Sequence, residues 1–144
     1  MTILSAQQLF SDDQAITATA ISINVIDLGV ADTPYGGKAA LKQDVGKGAP
    51  VPILIQVTEA FNTLTSLTIT LETGATTSLG TVLNSEVVTL ANLIVGKQTF
   101  MQFLPNGTTG RYLGVRYTVT GTNPTLGKVT AGISGGNQTN IVGA

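Results

Sequence analysis

The chain contains no cysteine, no histidine and no tryptophan. Without cysteine there is no disulfide framework, no thiolate nucleophile and no thiolate zinc site. Without histidine, Ser-His-Asp and Cys-His catalysis, H-E-x-x-H metal centres and imidazole ligation are all excluded. Charge is scarce as well. Charged residues make up 10% of the 144 residues, against about 25% in an average soluble domain. Seven basic residues and a formal charge of −1 leave no electrostatic footprint for nucleic acid. No long apolar run reads as a spanning helix. The first ten residues place no basic residue ahead of an apolar core, so they do not read as a secretory signal. The expectation is a protein with no nucleic-acid partner and no membrane partner.

What is abundant is β-branched. Thr (23), Val (13) and Ile (11) make about a third of the chain, and 17 glycines provide turns. Such side chains suit pleated sheet and lose rotamer freedom in helices. Alternation is clearest at residues 51–58, where Val51, Ile53, Ile55 and Val57 share one face. It is nearly as clear at 64–72 and at 111–120, where Arg111, Leu113, Val115, Tyr117 and Val119 oppose Tyr112, Gly114, Arg116 and Thr118. Further strands are expected at 18–28 (Ile21, Ile23 and Val25 inward), 81–83, 86–90, 99–104 and 128–133, with a turn at Asn106-Gly107. About eight antiparallel strands and one long excursion, residues 29–50, suit a jelly roll or other β-sandwich with Greek-key connections. The expected layout is an N-terminal arm at 1–17, a sandwich domain at 18–134 and a Gly/Asn-rich tail at 135–144, both ends being flexible. Within the arm, residues 11–14 (SDDQ) suit one capped helical turn.

Reactive chemistry finds no constellation. None of the Gly-Lys pairs at Lys38, Lys47, Lys97 and Lys128 completes a phosphate-binding loop. Asp12 and Asp13 are adjacent and lack the spacing of a calcium loop. Glu59, Glu72 and Glu86 come together only if folding brings them together. Tyr112 and Tyr117 fall on opposite faces of one strand, which argues against a sugar platform built from both. The reading is therefore of a non-enzyme with no catalytic residue, no metal and no cofactor. A chain this poor in charge is prone to associate, which suits a component of an assembly. Candidate interface residues are Leu4, Leu9 and Phe10 of the arm, Asp12 and Asp13 beside them, Tyr35, Lys38 and Lys42 of the long loop, and Arg111. Arg111 is expected to pair with a carboxylate on a neighbour or with an acid of its own chain.

Several segments resemble the capsid cement (decoration) proteins of tailed bacteriophages, of the Bordetella-phage type. They are residues 9–17 (LFSDDQAIT), 55–61 (IQVTEAF), 71–73 (LET), 111–119 (RYLGVRYTV) and 127–133 (GKVTAGI). The resemblance weakens at 33–47, 73–90 and after 134. It implies a jelly-roll fold and a place on the outer capsid surface of the virion, after synthesis in the host bacterial cytoplasm. There the protein bridges neighbouring major capsid protein subunits, partly by adding strands across them. It brings no catalytic residue. Self-association as a homo-dimer or homo-trimer is expected alongside. The competing reading is a carbohydrate-binding β-sandwich module of a phage tail or fibre, weakened by the lack of tryptophan and an aromatic content of 5%.

Overall fold

The computed structural model describes residues 4–40, 50–98, 103–106 and 110–135. The strands are β1 (Leu4–Ala15), β2 (Ala20–Ile21), β3 (Ile26–Asp27), β4 (Ile53–Glu59), β5 (Leu64–Gly74), β6 (Thr81–Thr89), β7 (Tyr112–Gly121) and β8 (Lys128–Ser134), with one 3-10 turn at Leu90–Asn92. They form two antiparallel sheets. One has the order β1-β8-β4; the other runs β2-β7-β5-β6, with β3 also on β7. Partners are nested along the chain: β1 with β8, β2 and β3 with β7, β5 with β6. β4 completes the nesting through isolated bridges from Gln56 to Gln98 and from Pro52 to Phe103. A chain whose first half pairs with its second half in reverse order, rolled into two sheets, is a jelly roll.

The core follows from period-2 alternation. On β4, Ile53, Ile55 and Val57 point inward and stand opposite Ile133, Ala131 and Val129 of β8. On β5, Leu67, Ile69 and Leu71 stand opposite Val119, Tyr117 and Val115 of β7. These faces meet in one hydrophobic core that also takes Phe10, Ile16, Phe61, Leu64, Leu93 and Leu104.

Four expectations are corrected. Within the expected arm at 1–17, Leu4–Ala15 is not free: it is a strand hydrogen-bonded to β8, and Phe10 is fully buried in the chain's own core. The helical turn at 11–14 gives way to a bulged strand. Register shifts interrupt β1 three times, and Asp13 adopts φ 46°, a left-handed conformation that aspartate tolerates better than most residues. The single strand at 18–28 is two short ones, because the chain changes partner between them. The Ser22 N–H donates to Val115 O of β7, whereas the Asn24 N–H donates to Phe10 O of β1. Ile23, expected inside, therefore points to solvent. The strands expected at 81–83 and 86–90 are one strand, β6, with a bulge at Leu83. Much of the expected strand at 99–104, the Gly107 end of the Asn106 turn and the tail after Gly135 lie outside the described residues.

Candidate functional site

The candidate interface residues separate into a buried group, a clamp and an exposed loop. Phe10 is removed from the set, since a side chain with no exposure cannot anchor a partner. Leu9 is half-buried and lies over Gly132, where a Cβ would stand 3.0 Å from its methyl. Leu4 is half-buried opposite Ser134. Asp12 is exposed.

Asp13 clamps the smaller sheet from within. Its backbone N–H donates to Thr130 Oγ1 (3.0 Å), and its carboxylate accepts from Thr58 Oγ1 (2.6 Å) and Lys128 Nζ (3.2 Å). Lys128 also reaches Glu59 at 3.4 Å. The Thr58 hydroxyl, then the Lys128 ammonium, hold the Asp13 carboxyl below its ordinary range. Asp13 first, then Glu59, raises the Lys128 ammonium. The cluster ties β1, β4 and β8 at one end of the sandwich.

Arg111 marks the opposite end, since β7 runs ten residues from Tyr112 to Gly121, a span of about 33 Å. Its guanidinium forks onto Asp27, with Nε 2.8 Å from Oδ1 and Nη2 2.7 Å from Oδ2, and lies 4.9 Å from the centre of the Tyr112 ring. That bidentate bond, helped by the Gly29 N–H, draws the Asp27 carboxyl down to about 2. Of the two expectations for Arg111, the partner within its own chain is the one realised. Tyr35 and Lys38 are exposed on the loop at this end, and Lys42 lies outside the described residues.

Glu59, part of the Lys128 cluster, and Glu72 do not converge. Glu59 ends β4 in the smaller sheet, while Glu72 sits in β5 of the larger one. Glu72 is buried: Oε1 accepts from Arg116 Nε (2.9 Å) and Thr70 Oγ1 (3.3 Å), and Oε2 has no partner among the described residues. Loop 75–80 folds over this pair, with Arg116 Nη2 donating to Ser78 O and the Leu79 side chain pressed against Gly114. Tyr117 is in the core and shares a 2.8 Å hydrogen bond with Ser11. Ser11 spends its own proton on Gln14 Oε1 (2.7 Å), so the phenol is the donor. Burial raises the phenol pKa. Gln14 passes the connection on to Ile21 O and the Ile23 N–H, completing a polar chain from β7 through β1 to the 21–23 corner.

A surface that the sequence reading missed lies at the β7–β8 end. Loops 60–63, 90–97 and 122–127 carry one charge between them, Lys97, and expose Ile94 (58%), Val95 (64%) and Leu126 (54%). Asn62 fastens the loops together. Its Oδ1 accepts from the N–H groups of Thr125 (2.9 Å) and Leu126 (3.1 Å), and its Nδ2 donates to Thr125 Oγ1 (2.8 Å). The Phe61 N–H donates to Leu93 O (3.1 Å). Gly127, at φ 134°, lies so close to the Phe61 ring that a Cβ would collide with it. Apolar side chains that water would penalise are thus held out on braced loops. The only sequence trace of this surface is the run Leu93-Ile94-Val95 within a turn, which has no period to interpret.

Among the described residues no group of three acids is placed to hold a metal ion, and no helix is long and apolar enough to cross a membrane. A search of curated proteins finds no match. The family model Bbp16 matches residues 10–133. That stretch runs from the buried Phe10 of β1 to Ile133 of β8, and so takes in both sheets. It supports the Bordetella-phage side of the resemblance, and on its strength the chain belongs to the Bbp16 family.

Proposed function

We propose that the protein is a capsid cement protein: a non-enzymatic component of the phage virion that binds the outer surface of the head and bridges neighbouring major capsid protein subunits. The observation that carries the reading is the braced, nearly charge-free loop end with Ile94, Val95 and Leu126 exposed. Membership of the Bbp16 family points that surface towards a phage particle. Exposed apolar patches rimmed by polar residues are characteristic of protein-binding surfaces. The patch is small beside the roughly 800 Å² per partner of a stable two-body complex. Weak sites of this kind become effective when repeated over a lattice, where each bound copy spans a junction and gains from effective concentration. Binding to the assembled shell and not to its free subunits stabilises the shell by mass action against the pressure of packaged DNA. The two-sheet sandwich provides stiffness, and the chemistry requires no cofactor.

The test is co-sedimentation with expanded empty heads and, separately, with unassembled major capsid protein. The expected result is saturable binding to heads, weak binding to free subunits, and a fall in head affinity of at least about tenfold in an Ile94→Asp/Leu126→Asp variant. Equal binding of heads and free subunits, or no binding to either, overturns the reading.

A further inference from the structure

A protein that bridges two subunits needs two contact surfaces, and the braced end with Ile94, Val95 and Leu126 provides one. The opposite end is built in a similar way. There β7 begins at Tyr112 beside Asp27 of β3, and β8 finishes at Ser134, whose N–H donates to Pro52 O (3.0 Å). Three large apolar side chains are turned out: Val30 (63% exposed), Phe103 (48%) and Tyr35, which is fully exposed. Phe103 bridges Pro52, while its neighbour Leu104 is buried in the core and donates its N–H to Val51 O (2.9 Å). Adjacent residues of an extended chain point opposite ways, so the anchoring of Leu104 turns the Phe103 ring towards water. Tyr35 rides on a tight turn. The Gly37 N–H donates to Pro34 O (2.8 Å), and Gly36 takes φ 76°, the positive value that a type II turn requires at its third residue. A Cβ at Gly37 would stand 2.9 Å from Pro34 O, so the turn calls for glycine there as well. The root of the loop is fastened to the larger sheet by the Arg111–Asp27 fork and by the Leu28 N–H, which donates to Arg111 O (2.7 Å).

We propose that this end is a second grip, chemically distinct from the first, which seats Tyr35 in a pocket of a neighbouring shell subunit with apolar walls and a polar mouth. The proposal rests on the cement reading and concerns a different face of the molecule. Tyrosine suits such a pocket, because its ring fills an apolar space while its hydroxyl reaches a polar group at the rim. Asp32 and Lys38 lie three residues to either side of Tyr35, both exposed, and match a rim of mixed sign. The other end offers aliphatic side chains and Lys97 as its one charge. The two grips therefore fit different surfaces, and the molecule has a direction. Loops that leave a sandwich at opposite ends project apart, here with about 33 Å of β7 between them, so they meet different subunits. Three apolar side chains fall short of the roughly 20–30 residues a side of a stable two-body interface, so neither end suffices alone. A preformed turn loses little order on docking, which favours affinity from few contacts. Two weak grips on one rigid body reinforce each other through effective concentration. Breaking either one forfeits most of the affinity and all of the bridge.

The experiment uses the full chain on expanded empty heads. Affinity is read by co-sedimentation, and shell integrity as the temperature of heat dissociation at saturating protein. The variants are Tyr35→Ser and Tyr35→Phe, which change a side chain outside the core, beside Ile94→Asp/Leu126→Asp; thermal melts of each establish that it is folded. Tyr35→Ser is expected to bind at least about tenfold more weakly than the wild type, and Tyr35→Phe within about threefold of it. Added to saturation, Tyr35→Ser is expected to cover the heads yet leave them dissociating at the temperature of undecorated heads, because attachment by one end spans no junction. Wild-type affinity or full stabilisation with Tyr35→Ser overturns the second grip and leaves the cement reading standing. A Tyr35→Phe variant that falls as far as Tyr35→Ser overturns the apolar pocket. Wild-type binding by Ile94→Asp/Leu126→Asp, with loss in Tyr35→Ser alone, overturns the two-ended arrangement. A wild type that ignores heads overturns both the grip and the cement reading.

Discussion

Replacing Arg116 by methionine removes the cation that, among the described residues, pairs with a buried carboxylate. In the native chain Glu72 leaves 6% of its side chain in water and Arg116 leaves 29%, with the pair 2.9 Å apart. Without Arg116, Oε1 retains Thr70 Oγ1 at 3.3 Å and Oε2 still has no described partner, while loop 75–80 keeps bulk water away. Stripping one member from a buried pair costs about 3–5 kcal/mol. The partial exposure of Arg116 favours the lower end, about 3 kcal/mol. With unfolding entropy of roughly 2.1 cal/mol/K per residue over 144 residues, that corresponds to a melting temperature lower by about 10 °C. The assay is urea unfolding of Arg116→Met, Glu72→Leu and the double variant. The double variant carries no orphaned charge, so it is expected to recover to within about 1 kcal/mol of the wild type. A loss below about 1 kcal/mol in Arg116→Met, with no recovery in the double variant, would refute the reasoning: the carboxylate would then be hydrated and loop 75–80 would not shield it.

Two further outcomes follow from the geometry. The Asp27 carboxyl is drawn down to about 2 from an ordinary 3.8 by Arg111 and the Gly29 N–H. A depressed folded-state pKa gives stability that is present above the unfolded value and lost as pH falls from about 4 towards 2; Asp27→Asn is therefore expected to flatten that stretch of the acid limb in a stability-against-pH series. Phe10 is fully buried in the core, so Phe10→Ala is expected to cost about 3–5 kcal/mol in urea unfolding, whereas a flexible arm would show almost no change.

How far the sequence carried the fold depended on regularity. β4, β5, β7 and β8 were legible nearly to the residue because their inner faces alternate, as in Leu67, Ile69 and Leu71 against Val119, Tyr117 and Val115. β1 was illegible for a physical reason. Its bulges bury Phe10 and Ser11 in succession and turn Asp13 outward, so no period survives. The 18–28 segment misled because Ser22 and Gln14 side chains take over part of the backbone bonding at the corner, and alternation holds only while one partner strand is kept. At the surface, Arg111 showed the need for a carboxylate but not whose. The loop end with Ile94, Val95 and Leu126 left almost no trace, because it is assembled by Asn62 across stretches of chain 63 and 64 residues apart.

The position of β8 between β1 and β4 governs the order in which the molecule is completed. As the polypeptide emerges from the ribosome, the larger sheet gains its last strand when residues 112–121 appear. The smaller sheet has no central strand until residues 128–134 follow. Until then β1 waits with its ladder groups unpaired and the Phe10 ring has no finished interior to enter. A nascent chain stalled before Lys128 is therefore half a sandwich, a ready substrate for chaperones and for mispairing with other nascent copies. Because the pairing is nested and long-range, contacts that close the smaller sheet form only once the seven residues of β8 are available.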